Sequence, residues 1–214
     1  MQYFVESVHP DAFESLRLIT EKFNLLSARV LYACSGNDKT PLSVWPKENI
    51  TFLDIYKPHI LLLKEAGLNA IAADAEKIEP FGEFDVIYAH NCPAKLNKCT
   101  DMLIKGGYVI GNNMYNLKDR VKDCVLIGAT RKEKDPDFPE NISRIFFDDE
   151  TSGFFEEAQT YEEFKNCELG TTTMNSFEAI MKESGLERKS AFEMLKKNYP
   201  FYKKYGELYV FQKI

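Results

Sequence analysis

The sequence predicts an α/β protein built on a mostly parallel, doubly wound sheet, and three observations predict it. Short apolar runs alternate with helical runs from Arg29 onward. Two successive apolar runs end on an acid, Asp54 after Ile-Thr-Phe-Leu and Asp74 after Asn-Ala-Ile-Ala-Ala. A glycine turn, Cys34-Ser35-Gly36-Asn37-Asp38, closes the apolar run before them. In an open parallel sheet the strand tips line the crevice where ligands bind. Two carboxylates side by side there suit a nucleoside. An ionised carboxylate only accepts hydrogen bonds, so one can take ribose hydroxyls and the other an exocyclic amine.

Each element follows in order. Pro10 opens a helix running to about Asn24, with Phe13, Leu16, Leu18, Ile19, Phe23 and Leu26 on its apolar face. Arg29 to Ala33 is the first strand. Prolines interrupt the segment from Pro41 to Pro46, so no regular helix is expected there. Ile50 to Ile55 is a second strand, apolar throughout as suits a strand covered on both faces. Pro58 to Ala66 is a helix stopped by Gly67, and Ala70 to Ala73 is the third strand. Phe84 to Ala89 is the fourth, with Asn91-Cys92-Pro93 at its tip. A helix from about Ala94 to Ile104 is expected to stop at Gly106-Gly107, before a fifth strand from Tyr108 to Gly111. Farther on, Cys124 to Ala129, Arg144 to Phe147 and Glu207 to Lys213 read as strands, and Thr173 to Ser184 as a helix stopped by Gly185. Strands and helices alternating in this way imply crossover connections and a parallel sheet.

Composition narrows the function. A chain of 214 residues, 44% of them apolar, can bury one good core and is read as one domain. A formal charge of −6 argues against general nucleic-acid binding, which needs a basic face. The five cysteines, Cys34, Cys92, Cys99, Cys124 and Cys167, are odd in number and contain no C-x-x-C pair. Neither a disulfide framework nor a zinc site is indicated, and the thiols are expected to be reduced. The first twenty residues carry Glu6, Asp11, Glu14 and Arg17 and lack the apolar centre of a signal peptide. No run reaches membrane-spanning length, so a cytoplasmic protein with no membrane partner is expected.

The order of elements resembles the class I S-adenosylmethionine-dependent methyltransferase superfamily, over roughly Ala28 to Asn112 and more loosely Leu208 to Gln212. Val30-Leu31-Tyr32-Ala33-Cys34-Ser35-Gly36-Asn37-Asp38 lies where that family has V-L-D-x-G-x-G-x-G. Only the middle glycine, Gly36, is kept; Tyr32 replaces the acid, and Cys34 and Asp38 replace the flanking glycines. Asp54, 18 residues after Gly36, stands where the family's ribose-binding acid closes the second strand. Asp74-Ala75 matches the acidic and small pair near the adenine, and Ile104-Lys105-Gly106-Gly107-Tyr108 is similar to the family's L-K-P-G-G run.

The resemblance implies a Rossmann-like fold: a seven-stranded sheet with an antiparallel last strand and helices on both faces. It implies one domain over 1–214, divided into an N-terminal helical segment (1–27), a cofactor-binding half (28–116) and a substrate-side half (117–214). It implies S-adenosylmethionine as cofactor, contacted by Ala33, Cys34, Gly36, Asp38, Asp54, Ile55, Asp74, Ala75 and Asn91. No metal is implied and no catalytic residue can be assigned, because such enzymes work mainly by holding the methyl group in line with its acceptor.

Plainer roles compete at each position. Asp54 could cap the following helix, although the later Pro58 leaves the strand tip open for ribose. Asp74 could cap the turn that ends at Pro80. Asp38 could replace the lost charge near the methionine ammonium. His90 could be a general base, but a lone histidine is more often structural. Cys92 reads as a packing residue, since nothing in the sequence activates its thiol. The run from Lys196 to Tyr205 interleaves bases with aromatics, yet in an acidic chain it reads better as aromatics covering the core while lysines stay wet. With Gly111 to Tyr115 and the N-terminal helix, it is the expected substrate-facing material.

The expected function is therefore methyl transfer to an acceptor the sequence does not name, a small molecule being favoured over a protein or nucleic acid. A catalytically inactive relative serving as a binding or scaffold protein is the alternative. A nicotinamide-dinucleotide enzyme is a weaker one, for want of a G-x-G-x-x-G loop. The sequence does not indicate an oligomeric state.

Overall fold

The computed structural model describes residues 10–112, 117–134, 141–147, 156–167, 171–197, 201 and 206–214. The chain divides into two compact units, one of Met1–Phe147 with Glu207–Ile214 and one of Asp148–Gly206.

The first unit is built on one sheet. Its elements are α1 (Pro10–Lys22), β1 (Val30–Ala33), β2 (Ile50–Asp54), α2 (Lys57–Glu65), β3 (Ala70–Ala72), β4 (Phe84–Ala89), α3 (Asn97–Asp101), β5 (Leu103–Gly111), β6 (Cys124–Lys134), β7 (Asn141–Phe147) and β8 (Tyr209–Lys213). The strand order is β3-β2-β1-β4-β5-β8-β6-β7. β1 to β5 pair in parallel, and β8 runs antiparallel between β5 and β6. With the edge strand β7 set aside, the order is 3-2-1-4-5-7-6 with the last strand reversed. That is the Rossmann-like arrangement of class I methyltransferases. The sheet has eight strands in place of the seven expected, because β6 continues to Lys134 and pairs antiparallel with β7 from Gly128↔Phe147 to Lys134↔Asn141.

Alternating side chains feed two buried faces. Val30, Tyr32, Ile50, Phe52, Val86, Tyr88, Ile110 and Val210 share one cluster with Leu16 and Ile19 of α1, Trp45, and Ile60 and Leu63 of α2. Their neighbours in sequence, Leu31, Leu53, Ile87, Val109 and Phe211, point to the other face and are buried as well. Removing such side chains from water stabilises the fold by roughly 1.5–3 kcal/mol each. The central strands are mostly apolar for this reason. The Trp45 indole donates to the Leu25 carbonyl at 2.8 Å, which ties the segment before β2 to the end of α1.

Two sequence-based expectations are corrected. The helix expected from Ala94 to Ile104 shrinks to the five-residue α3, and β5 starts at Leu103, five residues before Tyr108. Gly106 and Gly107 do not end a helix; they form a bulge inside β5. Phe84 pairs with Leu103 and Val86 with Tyr108, so β5 carries three extra residues across that step. Gly106 takes φ 79, and a Cβ on Gly107 would stand 2.9 Å from the Asp85 carbonyl. Gly106 has open space but a left-handed backbone that favours glycine, whereas Gly107 has no room for a side chain. Thr40–Ser43, in the proline-interrupted segment, forms a short 3-10 turn.

The second unit holds α4 (Tyr161–Phe164), α5 (Thr171–Ser184) and α6 (Arg188–Leu195) around an aromatic centre of Phe164, Phe177, Phe192 and Phe201. A capping box starts α4: the Thr160 hydroxyl accepts from Glu163 N–H and the Glu163 carboxylate accepts from Thr160 N–H. Of the basic-aromatic run from Lys196, Phe201 is buried in this centre, whereas residues 198–200 and 202–205 lie outside the described residues, as do 113–116.

Candidate functional site

The tips of β1, β2, β3 and β4 come together at one end of the parallel sheet. β1 ends at the buried Ala33, and the chain then turns through Cys34 and Gly36, both left-handed at φ 56 and 55. Ser35 N–H still donates to Leu53 O of β2 at 3.0 Å, and Asp38 N–H donates back to Ser35 O at 3.1 Å, which closes the turn. Gly36 N–H donates to Asp54 Oδ2 at 2.8 Å, while Tyr56 N–H donates to Oδ1 at 2.7 Å. Asp54 thus fills two roles. It holds the N–H of Tyr56, the residue just before α2, and fixes the glycine turn of the neighbouring strand. Each carboxylate oxygen can accept a second hydrogen bond beyond the backbone donor it holds. The next side chain, Ile55, is 70% exposed at the same tip.

Asp38 is drawn inward. Its Oδ2 accepts from the Tyr32 hydroxyl at 2.5 Å, and its Oδ1 accepts from Thr40 N–H at 2.8 Å and the Thr40 hydroxyl at 2.6 Å. The structure thus sets a carboxylate at the end of the Tyr32 side chain. Burial first, and then nearby negative charge, raise the Tyr32 pKa well above the ordinary phenol value, and the group stays a neutral donor.

Asp74 follows β3 beyond the pair Asp54↔Ala72. Its Oδ1 accepts from Glu76 N–H at 2.9 Å, and Lys77 Nζ stands 3.2 Å from Oδ2. The Glu76 amide, and then Lys77, lower its pKa. Ala75 is 5% exposed, and its carbonyl accepts from the Cys99 thiol. Burial pushes that thiol up to about 12, so it is protonated at neutral pH. At the β4 tip Asn91 is left-handed at φ 54 and forms a reciprocal pair with Asn112 after β5. Asn91 N–H donates to Asn112 Oδ1 at 2.9 Å, and Asn112 Nδ2 donates to Asn91 Oδ1 at 2.6 Å. The His90 ring lies parallel to Tyr88 at 6.3 Å.

The structure corrects the expectation of unpaired thiols. Cys34 and Cys92 form a disulfide across 58 residues, with Cα atoms 5.3 Å apart. Linear spacing gives no hint of the pairing, because the strand order is what sets the β1 tip beside the β4 tip. Two further residues escaped the sequence reading. His59 Nδ1 is buried without a partner among the described residues, and the ring packs 3.7 Å from where a Cβ on Gly36 would stand. Its only sequence signal is its place in the first turn of the helix after Asp54. The Tyr88 hydroxyl is likewise buried and unpartnered, its ring 4.8 Å from that of Tyr32. A buried polar atom without a hydrogen bond costs about 1–3 kcal/mol. Two of them beside one turn mark a place where a polar ligand or water would be satisfied.

No family model matches the sequence, and no curated protein matches it. Among solved structures, the chain is similar to the StiE O-MT, at 12% identity and a TM-score of 0.46, covering 94% of this chain and 73% of that one. It is also similar to a SAM-dependent methyltransferase of Thermotoga maritima, described as a possible histamine N-methyltransferase. There the identity is 16% and the TM-score 0.44, over 66% of this chain and 84% of that one. A third is the plantazolicin methyltransferase BpumL, at 15% identity and a TM-score of 0.38, where 48% of this chain spans 46% of the other. The chain thus spans less than half the length of this last protein. At these identities the likeness concerns the arrangement of strands and helices only.

Proposed function

We propose that this chain binds S-adenosylmethionine at the tips of β1 to β4 and transfers its methyl group to an acceptor, a small molecule in preference to a protein or nucleic acid. The observation that carries the reading is the Asp54 carboxylate held against the Gly36 amide at the strand tips. A carboxylate aligned by two backbone donors, with acceptor capacity left on both oxygens, suits the two ribose hydroxyls. Gly36 leaves the backbone open to close approach, and the exposed Ile55 offers an apolar cover for the adenine ring. Asp74 suits the exocyclic amine, with Ala75 beside it. Asp38, backed by Tyr32, provides negative charge for the methionine ammonium, while Ala33, Cys34 and Asn91 line the floor between β1 and β4.

The residues present fit the group. When bound, S-adenosylmethionine supplies a sulfonium methyl that a nucleophile takes in line. The chain's own contribution is to bind, align and exclude water, which can account for much of a rate enhancement without an obligatory side chain. A second reading, a binding module without transfer, is favoured by Tyr32, Cys34 and Asp38 in place of the usual acid and glycines.

A thermal-shift screen with S-adenosylmethionine, S-adenosylhomocysteine, NAD and ATP tests the assignment. The first two should raise the melting temperature, because a ligand at a hundred times its Kd stabilises the native state by about 2.7 kcal/mol. Protection by NAD alone would instead favour a dinucleotide enzyme. Labelled methyl transfer to small-molecule fractions separates the enzyme from the silent binder.

A further inference from the structure

The row of strand tips continues past β4. Ala89 of β4 pairs with Gly111 of β5, and Gly111 pairs with Tyr209 of β8. β8 runs antiparallel, so its start, and Glu207 just ahead of it, lie at the crevice end of the sheet. Two strand spacings put that start about 10 Å from the β4 tip, the span of a small molecule. One helix crosses the row. Phe23, next to the end of α1, sets its ring 5.1 Å from that of Tyr108, well below the β5 tip, whereas the Ser15 hydroxyl donates to Glu207 Oε2 at 2.5 Å. α1 therefore begins at the crevice end of this sheet face. The same face holds Tyr88 and Ile110, which cluster with Leu16 and Ile19 of α1, and the His90 ring lies parallel to Tyr88.

Glu207 is fixed from two sides. Its N–H donates to Thr130 O at 2.8 Å, and the next N–H, of Leu208, donates to Thr130 Oγ1 at 3.1 Å. The chain bends at Glu207 and Leu208, and the Glu207 side chain meets α1 at Ser15. Ser15 and Thr130 are wholly buried, and Glu207 is half-buried. A tie between helix and strand needs only an acceptor. A carboxylate adds negative charge, and at a partly dehydrated place that charge favours a cationic ligand over a neutral one.

We propose that Glu207 binds the methyl acceptor and that the acceptor is a small primary amine, seated on the α1 face between the tips of β4 and β8. The assignment rests on the S-adenosylmethionine reading. The amine arrives as an ammonium paired with Glu207 and passes one proton to the carboxylate. Its freed lone pair then takes the sulfonium methyl: the C–N bond forms as the C–S bond breaks, and the electrons of the broken bond stay on sulfur. The methylated nitrogen is positive again, and Glu207 releases its proton to solvent. Ser15 is a positioning residue that holds the carboxylate in place.

The test uses the full chain, methyl-labelled S-adenosylmethionine and two matched pairs of probes, benzylamine with benzyl alcohol and phenethylamine with phenethyl alcohol. Transfer to at least one amine and to neither alcohol is expected. Calorimetry on the protein saturated with S-adenosylhomocysteine should show the same preference in binding. Glu207→Gln keeps an acceptor for Ser15 and removes the charge. It should lower kcat/KM for the amine, and amine affinity, at least about tenfold, while the melting temperature and the Kd for S-adenosylmethionine stay those of the native protein. Ser15→Ala keeps the charge and releases the carboxylate. It should lower the same kcat/KM without moving that Kd, and it carries the test if Glu207→Gln does not fold. Transfer to an alcohol as fast as to its amine, or full amine activity in the variants, overturns the proposal. So does a loss of activity matched by weaker cofactor binding, the mark of a purely structural tie. If the native protein takes up no S-adenosylmethionine, the cofactor reading and the amine site both fall. If it binds the cofactor and neither binds nor methylates the amines, the amine site alone falls.

Discussion

Two buried tyrosines on adjacent strands make opposite predictions. The Tyr32 hydroxyl donates to Asp38, a charge-assisted bond inside the core, whereas the Tyr88 hydroxyl is buried with no partner among the described residues. Tyr32→Phe should therefore cost about 1.5–3 kcal/mol and lower the melting temperature. Tyr88→Phe should be neutral or raise stability by about 1 kcal/mol in the ligand-free protein. Denaturant titration of both variants checks the pair, and equal losses would contradict the assignment. Asp74 gives an acid-side prediction. Its folded pKa lies below its unfolded value, so its contribution to stability is complete above the ordinary carboxylate range and is lost as pH falls through the lower, folded value. Asp74→Asn should flatten the part of a melting-temperature profile that lies below the ordinary carboxylate range. At this scale the sequence was informative where chemistry is local. An acid ending an apolar run and a glycine in a turn announce themselves, as Asp54 and Gly36 do. The partners of those groups do not: nothing in the linear order says that Asp54 binds the Gly36 amide, that Asp38 meets Tyr32, or that His59 packs beside the turn.

Among the elements, β5 shows how backbone clearance can overrule pattern. Gly106-Gly107 after a helical run reads as a stop, yet the glycines serve a bulge between Leu103 and Tyr108, where the strand must pass close to the Asp85 carbonyl. Gly111 has a similar reason at the far end of the strand. A Cβ there would collide with the Ala89 carbonyl oxygen of the paired strand and stand 3.0 Å from Leu117 Cδ2. Gly111→Ala should push β5 from β4 and destabilise the protein by about 3 kcal/mol or more. The melting temperature should fall by roughly 6–12 °C at 2–4 °C per kcal/mol for a chain of this size. A variant that melts with the native protein would refute the close approach. β2 and β4 were readable because short, mostly apolar runs have one good solution, a strand covered on both faces. The helix before β5 was not: Leu96, Cys99 and Met102 carry helical spacing, but only Asn97–Asp101 is helical.

At the scale of the whole molecule, strand order does what no local signal could. It brings four tips, from Ala33, Asp54, Ala72 and Ala89, to one end of the sheet, although they are scattered along the sequence. The same order sets Cys34 against Cys92, a pairing that odd cysteine count and the absence of C-x-x-C argued against. In a chain-entropy account, closing a loop of that length contributes about 4 kcal/mol, so the pairing bears on stability. The eighth strand arises from the same scale: β6 and β7 form an antiparallel hairpin that extends the sheet beyond the seven strands the resemblance implies. Among the described residues no helix is long and apolar enough to cross a membrane.

The central claim is that the Asp54 carboxylate on the Gly36 turn grips an adenosine. Calorimetric titration of S-adenosylmethionine into the native protein, beside Asp54→Ala, tests it most directly. A micromolar Kd, about −8 kcal/mol, weakened by about 1–3 kcal/mol in the variant, is the predicted result. A folded native protein that takes up no S-adenosylmethionine, or a variant that binds it equally well, would contradict it.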